Sequence, residues 1–225
     1  MILAIDTATR WLGLALHDGT AVLAEIGWQC RNNHTVELTP AIQELMQRVD
    51  LTAADLSAIA VAIGPGSYTG LRVGLAVAKG LALAHQTPLI GIPTLDIVAV
   101  AMPPQPGDLV VVAEAGRTRV LTAVYQWHGG DGWQTDPPPS IDAWDDLLQR
   151  LEGPLTFVGE ITPDAAKKIR TSGKLFQMAS PAAAARRAGY LAELGLQRLR
   201  RGEVDDPALL APVYLRDPSG AKLNL

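Results

Sequence analysis

Short apolar runs alternate with turn residues from the first position onward. Residues 2–5, 11–17 and 21–28 read as three strands, and Asp18-Gly19 between the second and third is the dipeptide of a tight hairpin. Leu38, Ile42, Leu45 and Val49 then recur at helical spacing, with Pro40 expected in the first turn and Thr35 or Thr39 as the cap. Residues 57–63 form an unbroken apolar run suited to a buried strand, which Gly64-Pro65-Gly66 ends. A second helix is expected over 71–85 and a further strand over 88–92.

The order of three strands, helix, strand, helix, strand matches half of an actin-like or sugar-kinase-like ATPase domain at the level of topology alone. Pro103-Pro104-Gln105-Pro106-Gly107 resists both helix and sheet interior and is the expected linker. It separates an N-terminal subdomain, 1–102, from a C-terminal one, 108–225, whose last helix is free to pack back on the first. Beyond the linker, 109–113, 120–127 and 155–159 read as strands, 129–132 as a turn, and 141–151, 163–170 and 182–201 as helices. The second half is a reduced echo of the first, and the fold class is α/β.

Composition narrows the function. The chain has 225 residues, 48% of them hydrophobic, which is ample for a core. A net charge of -4 argues against holding nucleic acid by bulk electrostatics, so any service to RNA would run through a partner. Cys30 is the only cysteine, which excludes an internal disulfide and a thiolate cage. Asp6 interrupts the start where a signal peptide needs an apolar core, and no apolar run spans a membrane, so a cytoplasmic location is expected.

Three loops invite a nucleotide. Asp6, Thr7 and Thr9 follow the first strand, where actin-like ATPases place an acid, a glycine and a hydroxyl residue, but here the glycine is absent. Glu114-Ala115-Gly116 stands where a second acid-x-glycine loop belongs, and Gly159 stands alone where a glycine pair is usual. Gly64, Gly66 and Ser67 lie between strand and helix, yet Leu71-Arg72 follows the last glycine where a Walker loop needs Lys-Ser or Lys-Thr. The alternative for all of them is turn formation, with Ser67 or Thr69 capping the helix.

From 71 to 84 only Arg72 and Lys79 are charged. Gly70, Gly74, Ala78 and Ala82 form one ridge of small residues, and Ala76, Gly80 and Ala84 a second on the far side. One ridge is expected on the chain's own sheet, and the pattern leaves the other open to cover by the second half of the same chain or by a partner. His34 lacks a second histidine one turn later, so a cap or surface role outweighs metal binding. Arg186, Arg187, Arg198, Arg200 and Arg201 make the last helix basic, by default a solvated face and alternatively an RNA contact.

ILAIDTATRWLGLAL, NNHTVELTPAI, GPGSYTGLRVGLAVAKGLA and APVYLR together resemble the TsaB (YeaZ) family, the dimerisation subunit of the bacterial machinery for threonylcarbamoyladenosine in tRNA. The match runs nearly end to end. It implies an actin-like (ASKHA, ribonuclease H-like) fold of two subdomains, the second reduced. It further implies a heterodimer with TsaD, which carries the chemistry, joined by the ATPase TsaE, with tRNA met only through the complex. The family's pairing surface carries over to the first two helices, namely Leu38, Ile42, Leu45 and Val49 with Gly70, Leu71, Gly74, Leu75, Ala78 and Ala82. Similar helices permit homodimers when TsaD is absent. No catalytic residue, metal or tightly bound cofactor is expected, although ATP or ADP at the interface with partner subunits fits the resemblance. Two alternatives stay open: an independent ATPase or small-molecule kinase using Asp6, and a metal-dependent peptidase with His34 as its hint.

Overall fold

Large and small apolar residues alternate along the first strands, and that alternation decides how the sheet is covered. The computed structural model describes residues 1–30, 33–115, 119–135 and 137–215. Asn32 of NNHTVELTP, Gly116 of the second acidic loop and Arg216 of APVYLR lie outside them. Two compact units emerge, the first of Met1–Ile97 with Arg187–Val213 and the second holding Val98–Arg186.

In the first unit β1 (Ile2–Asp6), β2 (Trp11–His17), β3 (Val22–Gln29), β4 (Ala58–Gly64) and β5 (Leu89–Pro93) form one sheet in the order β3-β2-β1-β4-β5. β1 pairs antiparallel with β2 and parallel with β4. Register sets Leu16, Leu3, Ile59 and Leu89 in one row across the sheet, and Ala15, Ala4 and Ala60 in the next. Successive residues of a strand face opposite ways, so one face is leucine and isoleucine and the other alanine. The large face packs on α1 (His34–Gln47) and α2 (Tyr68–His85) in a single apolar core. Each fully buried Leu or Ile there contributes about 1.5–3 kcal/mol.

The alanine face takes α6 (Ala188–Arg200), which contacts β1, β2, β4 and β5. Its inner residues are small as well. A Cβ at Gly195 would stand 2.6 Å from that of Ala60, and one at Gly13 would stand 3.4 Å from that of Ala188. Small facing small brings the helix axis close to the sheet, and the first unit's sheet is thereby covered on both faces. Residues 187–213, numbered with the second half of the chain, thus belong to the first unit.

The second unit repeats the order: β11 (Phe176–Met178), β10 (Leu155–Gly159), β6 (Asp108–Glu114), β7 (Arg119–Trp127) and β8 (Trp133–Gln134), with β9 (Ser140–Ala143) also on β7. β6 pairs antiparallel with β7 and parallel with β10, as β1 does with β2 and β4. β4 and β10 both end in a glycine at positive φ, Gly64 at 112° and Gly159 at 111°. A side chain there would also strike the Val213 and Val112 carbonyls respectively. α4 (Trp144–Arg150) and α5 (Pro163–Thr171) pack on this sheet around Phe157.

Several elements differ from the sequence expectation. α1 begins at His34, so Pro40 lies inside the helix and not in its first turn, and the N-cap is Asn33, without a side-chain cap bond. Val36 and Pro40 are both exposed, so the carbonyl that proline leaves unbonded faces water. The helix expected over 141–151 is shared between β9 and α4, and α6 starts at Ala188, not 182. Arg186 ion-pairs with Glu160 within the second unit and Arg187 pairs with Glu25 within the first, so the helix begins only after the chain has passed from one unit to the other. α3 (Thr94–Val100), β8 and β11 carry too short a pattern to be foreseen.

Candidate functional site

The carboxyl ends of adjacent parallel strands are where open α/β sheets bind ligands, and in the first unit these ends carry Asp6 and Gly64. The two loops close on each other. The Ala8 N–H donates to Asp6 Oδ1 at 2.9 Å, the Thr7 hydroxyl donates to the Gly70 carbonyl at 2.7 Å, and the Ser67 N–H donates to the Ala8 carbonyl at 2.6 Å. Asp6, Thr7 and Thr9 are buried, Thr9 accepting from the Trp11 N–H at 3.2 Å. A Cβ at Gly66 or Gly70 would collide with the carbonyls of Ala8 or Thr7. The glycines serve loop-to-loop contact, the Ala8 and Thr7 carbonyls standing where a side chain would be. Ser67 caps α2, accepting from the Gly70 N–H at 3.2 Å.

His34 opens α1 beside this pair of loops. Burial pushes its imidazole below the ordinary range, against the opposing pull of a Thr9 backbone hydrogen bond and of Glu37 and Asp6. Its Nε2 is buried and finds no hydrogen-bond partner. Glu37 accepts from the Trp28 indole N–H at 2.6 Å, a bond that holds its carboxyl below the usual range. Burial pushes the Cys30 thiol up. No group of three His, Cys, Asp or Glu converges among the described residues.

On the helices, the residues singled out for partner contact turn inward. Leu38, Ile42 and Leu45 of α1 and Leu71, Leu75, Ala78 and Ala82 of α2 are buried, as are Gly70 and Gly74, and Val49 is half-buried. All the apolar side chains among them except Leu71 belong to or pack on the first unit's core. Gly74 faces Thr7 so closely that a Cβ would overlap the threonine hydroxyl. The inner ridge packs within the unit itself.

The second ridge stays open. Ala76, Gly80 and Ala84 are exposed, a Cβ at Gly80 would meet nothing within 4 Å, and Leu83 beside them is 69% exposed. Arg72 and Lys79 flank this stripe, the guanidinium of Arg72 lying 3.8 Å over the Tyr68 ring. α1 turns a mostly polar face outward, with Gln43, Glu44, Gln47 and Arg48 exposed and the Glu44–Arg48 pair at 2.6 Å. No helix among the described residues is long and apolar enough to cross a membrane.

In the second unit a cleft of about 350 Å³ lies at the equivalent strand ends, lined by Glu114, Arg119, Trp144, Glu160, Thr162 and Lys168 among others. Its charges are engaged: Glu160 accepts from the Glu114 N–H through Oε2 at 2.9 Å and from buried Arg186 through Oε1 at 3.4 Å, and Lys168 pairs with Asp145 at 2.6 Å. Of these only Glu114 carried a signal in the sequence, because cleft walls drawn from several separate elements have no common spacing. The basic residues of the last helix are likewise committed within the chain. Arg187 bonds Glu25, Arg198 bonds Asp205 and the Gly91 carbonyl, Arg200 bonds the Gly19 carbonyl, and Arg201 reaches Glu203 at 4.0 Å.

Known proteins place this architecture. A family model described as TsaD, tRNA N6-adenosine threonylcarbamoyltransferase, matches residues 28–222. The tRNA threonylcarbamoyladenosine biosynthesis protein TsaB of Bacillus subtilis is 36% identical over 163 residues, covering 72% of this chain and 71% of that protein. Its Escherichia coli namesake is 30% identical over 227 residues, covering 96% and 94%. The solved structure of YeaZ from Pseudomonas aeruginosa superposes with a TM-score of 0.75 at 22% identity, covering 95% of this chain and 99% of that one, which speaks to fold. Ethanolamine utilization protein EutJ from Carboxydothermus hydrogenoformans aligns with a TM-score of 0.50, and the fold is the actin-like α/β fold of two subdomains. On identity and coverage together, the chain belongs to the TsaB family of tRNA threonylcarbamoyladenosine biosynthesis proteins.

Proposed function

We propose that this chain is the non-catalytic subunit that pairs with TsaD and enables transfer of a threonylcarbamoyl group to the adenosine beside the anticodon of ANN-reading tRNAs. TsaE joins the pair, tRNA is met through the complex, and ATP or ADP is held at the interface with the partner subunits and not tightly by this chain alone.

The observation that carries this is the outer face of α2. Ala76, Gly80, Leu83 and Ala84 form an exposed apolar stripe of mostly small residues, in a unit whose sheet is already covered on both faces. A partner helix can approach such a stripe closely, and exposed apolar patches of this kind mark interaction sites. The mutually bonded Asp6–Thr9 and Gly64–Gly70 loops add support, because they suit a subunit that leaves the chemistry to its partner.

The test is a reconstituted transfer reaction with TsaD and TsaE in which the modified nucleoside is measured with and without this chain. Omission is expected to abolish product. Undiminished product without the chain would remove the proposal.

A further inference from the structure

The sheet of the first unit ends in two edges, β5 and β3, and the chain treats them differently. On β5 the outward backbone groups are taken one by one. The Leu89 carbonyl accepts from the Asp205 N–H at 2.9 Å, the Gly91 N–H donates to Asp205 Oδ2 at 2.8 Å, and the Gly91 carbonyl accepts from Arg198 at 2.7 Å. On β3 the pairing stops at β2. The Cys30 N–H donates to the Arg10 carbonyl at 2.6 Å just past the strand, and with Gln29 opposite Trp11 and Trp28 opposite Leu12 the even-numbered residues bond β2. Glu25, Gly27 and Gln29 therefore turn their N–H and C=O groups away from the sheet, and no described residue meets these six groups.

Exposed edges template pairing with another chain, and proline or lysine commonly blunts them. β3 contains neither. Its one charge, Glu25, is engaged by Arg187 and the Gly189 N–H, and Gly27 is exposed, with the Trp11 indole standing where its side chain would be.

We propose that this edge pairs with the same edge of a second copy of the chain, on a surface separate from the outer face of α2. Three features single out a second copy. The outward residues 25, 27 and 29 are symmetric about Gly27, bounded on one side by Leu23, unpaired at the β-bulge, and on the other by buried Cys30. A two-fold axis through Gly27, perpendicular to the sheet, sets the strands antiparallel with Gly27 opposite Gly27 and Glu25 opposite Gln29, which satisfies all six groups of each copy. The same axis sets Ile26 opposite Trp28 on the face of Leu12 and Leu14, a β-branched and aromatic pair, and keeps Glu25 from facing its own copy. The copies leave α2 uncovered, so self-association does not compete with the pairing proposed for TsaD and does not depend on it.

The full-length chain is followed by sedimentation equilibrium from about 1 µM to about 1 mM, the range in which small interfaces dissociate. A monomer–dimer equilibrium is expected. Gln29→Pro removes an outward N–H and leaves the bonds to β2 in place, so it should weaken the dimer at least about tenfold through two lost hydrogen bonds. Gln29→Glu sets a carboxylate opposite Glu25 and should weaken it about threefold. Gly80→Trp, on the outer face of α2, should leave it unchanged. Amide exchange of the wild-type chain decides the matter if Gln29→Pro does not fold: Glu25, Gly27 and Gln29 are expected to gain protection between about 10 µM and about 1 mM. A chain still monomeric at about 1 mM, or three amides indifferent to concentration, would overturn the inference. So would self-association that is lost in Gly80→Trp and kept in Gln29→Pro, since the copies would then meet through α2.

Discussion

α2 and α5 occupy equivalent places in the two units and present opposite surfaces to water. Each follows a parallel strand that ends in a glycine at positive φ, and each buries one stripe against its own sheet. α5 is 9 residues long, buries Ala165 and Ile169, and exposes Asp164, Lys167, Lys168 and Arg170. That is the ordinary outer face of a surface helix. α2 is 18 residues long and exposes Ala76, Gly80, Leu83 and Ala84. α5 shows that the topology is satisfied by a charged outer face, so the fold of the unit does not by itself call for the apolar one on α2. Of the two small ridges of α2, the inner is buried within the unit and the outer is exposed.

The largest expected effect tests that division directly. Gly74→Leu should cost about 3 kcal/mol or more in urea denaturation, because the new side chain has to displace Thr7 from its bond to Gly70. Gly80→Leu should be neutral or stabilising by up to about 1 kcal/mol, since glycine is a poor helix former and the space is open. Equal costs at the two positions would erase the distinction between ridges.

Gly80→Trp should then reduce TsaD affinity by about 100-fold while the isolated chain melts normally, whereas Lys167→Trp on α5 should leave pairing intact. Loss of co-elution from both, or from neither, would break the contrast between the two helices. A smaller effect is expected on the other side of the first sheet. Gly195→Val should destabilise by about 2 kcal/mol by forcing α6 off Ala60, and denaturation of that variant measures how much the close alanine packing contributes.

The smallest effect concerns His34, which has no histidine counterpart at the start of α4. Burial depresses its native pKa, so as pH falls the unfolded chain binds the proton first. Stability is fully present above the ordinary imidazole range and is lost as pH drops through that range toward the native value. His34→Gln should flatten this slope between neutral and mildly acid pH, which denaturation at a series of pH values would reveal. A slope unchanged by the substitution would mean that the imidazole titrates alike in both states.

Much of the fold was legible because its signals are local. Alternation set the strands, Gly64-Pro65-Gly66 ended β4, and the absence of a Walker lysine after Gly70 argued against a phosphate cradle. The edges failed where tertiary contacts override pattern. Arg186 and Arg187 interrupt an alanine-rich run that reads as helix, and Pro40 sits inside α1 because its carbonyl-side cost falls on the solvent face.

By itself the sequence determined that α2 is apolar nearly all round, that it carries two small ridges, and that its flanking charges are cations. Both ridges are built of glycine and alanine alone, so periodicity had no means of ranking them, and Gly70, Gly74, Ala78 and Ala82 looked as fit for a partner as Ala76, Gly80 and Ala84. Only the tertiary structure decided, by bringing Thr7 against Gly74 and the Thr7 hydroxyl onto the Gly70 carbonyl across 63 residues of chain. A helix's inward side is fixed by what long-range packing sets beside it, and that partner is not written in the helix's own period.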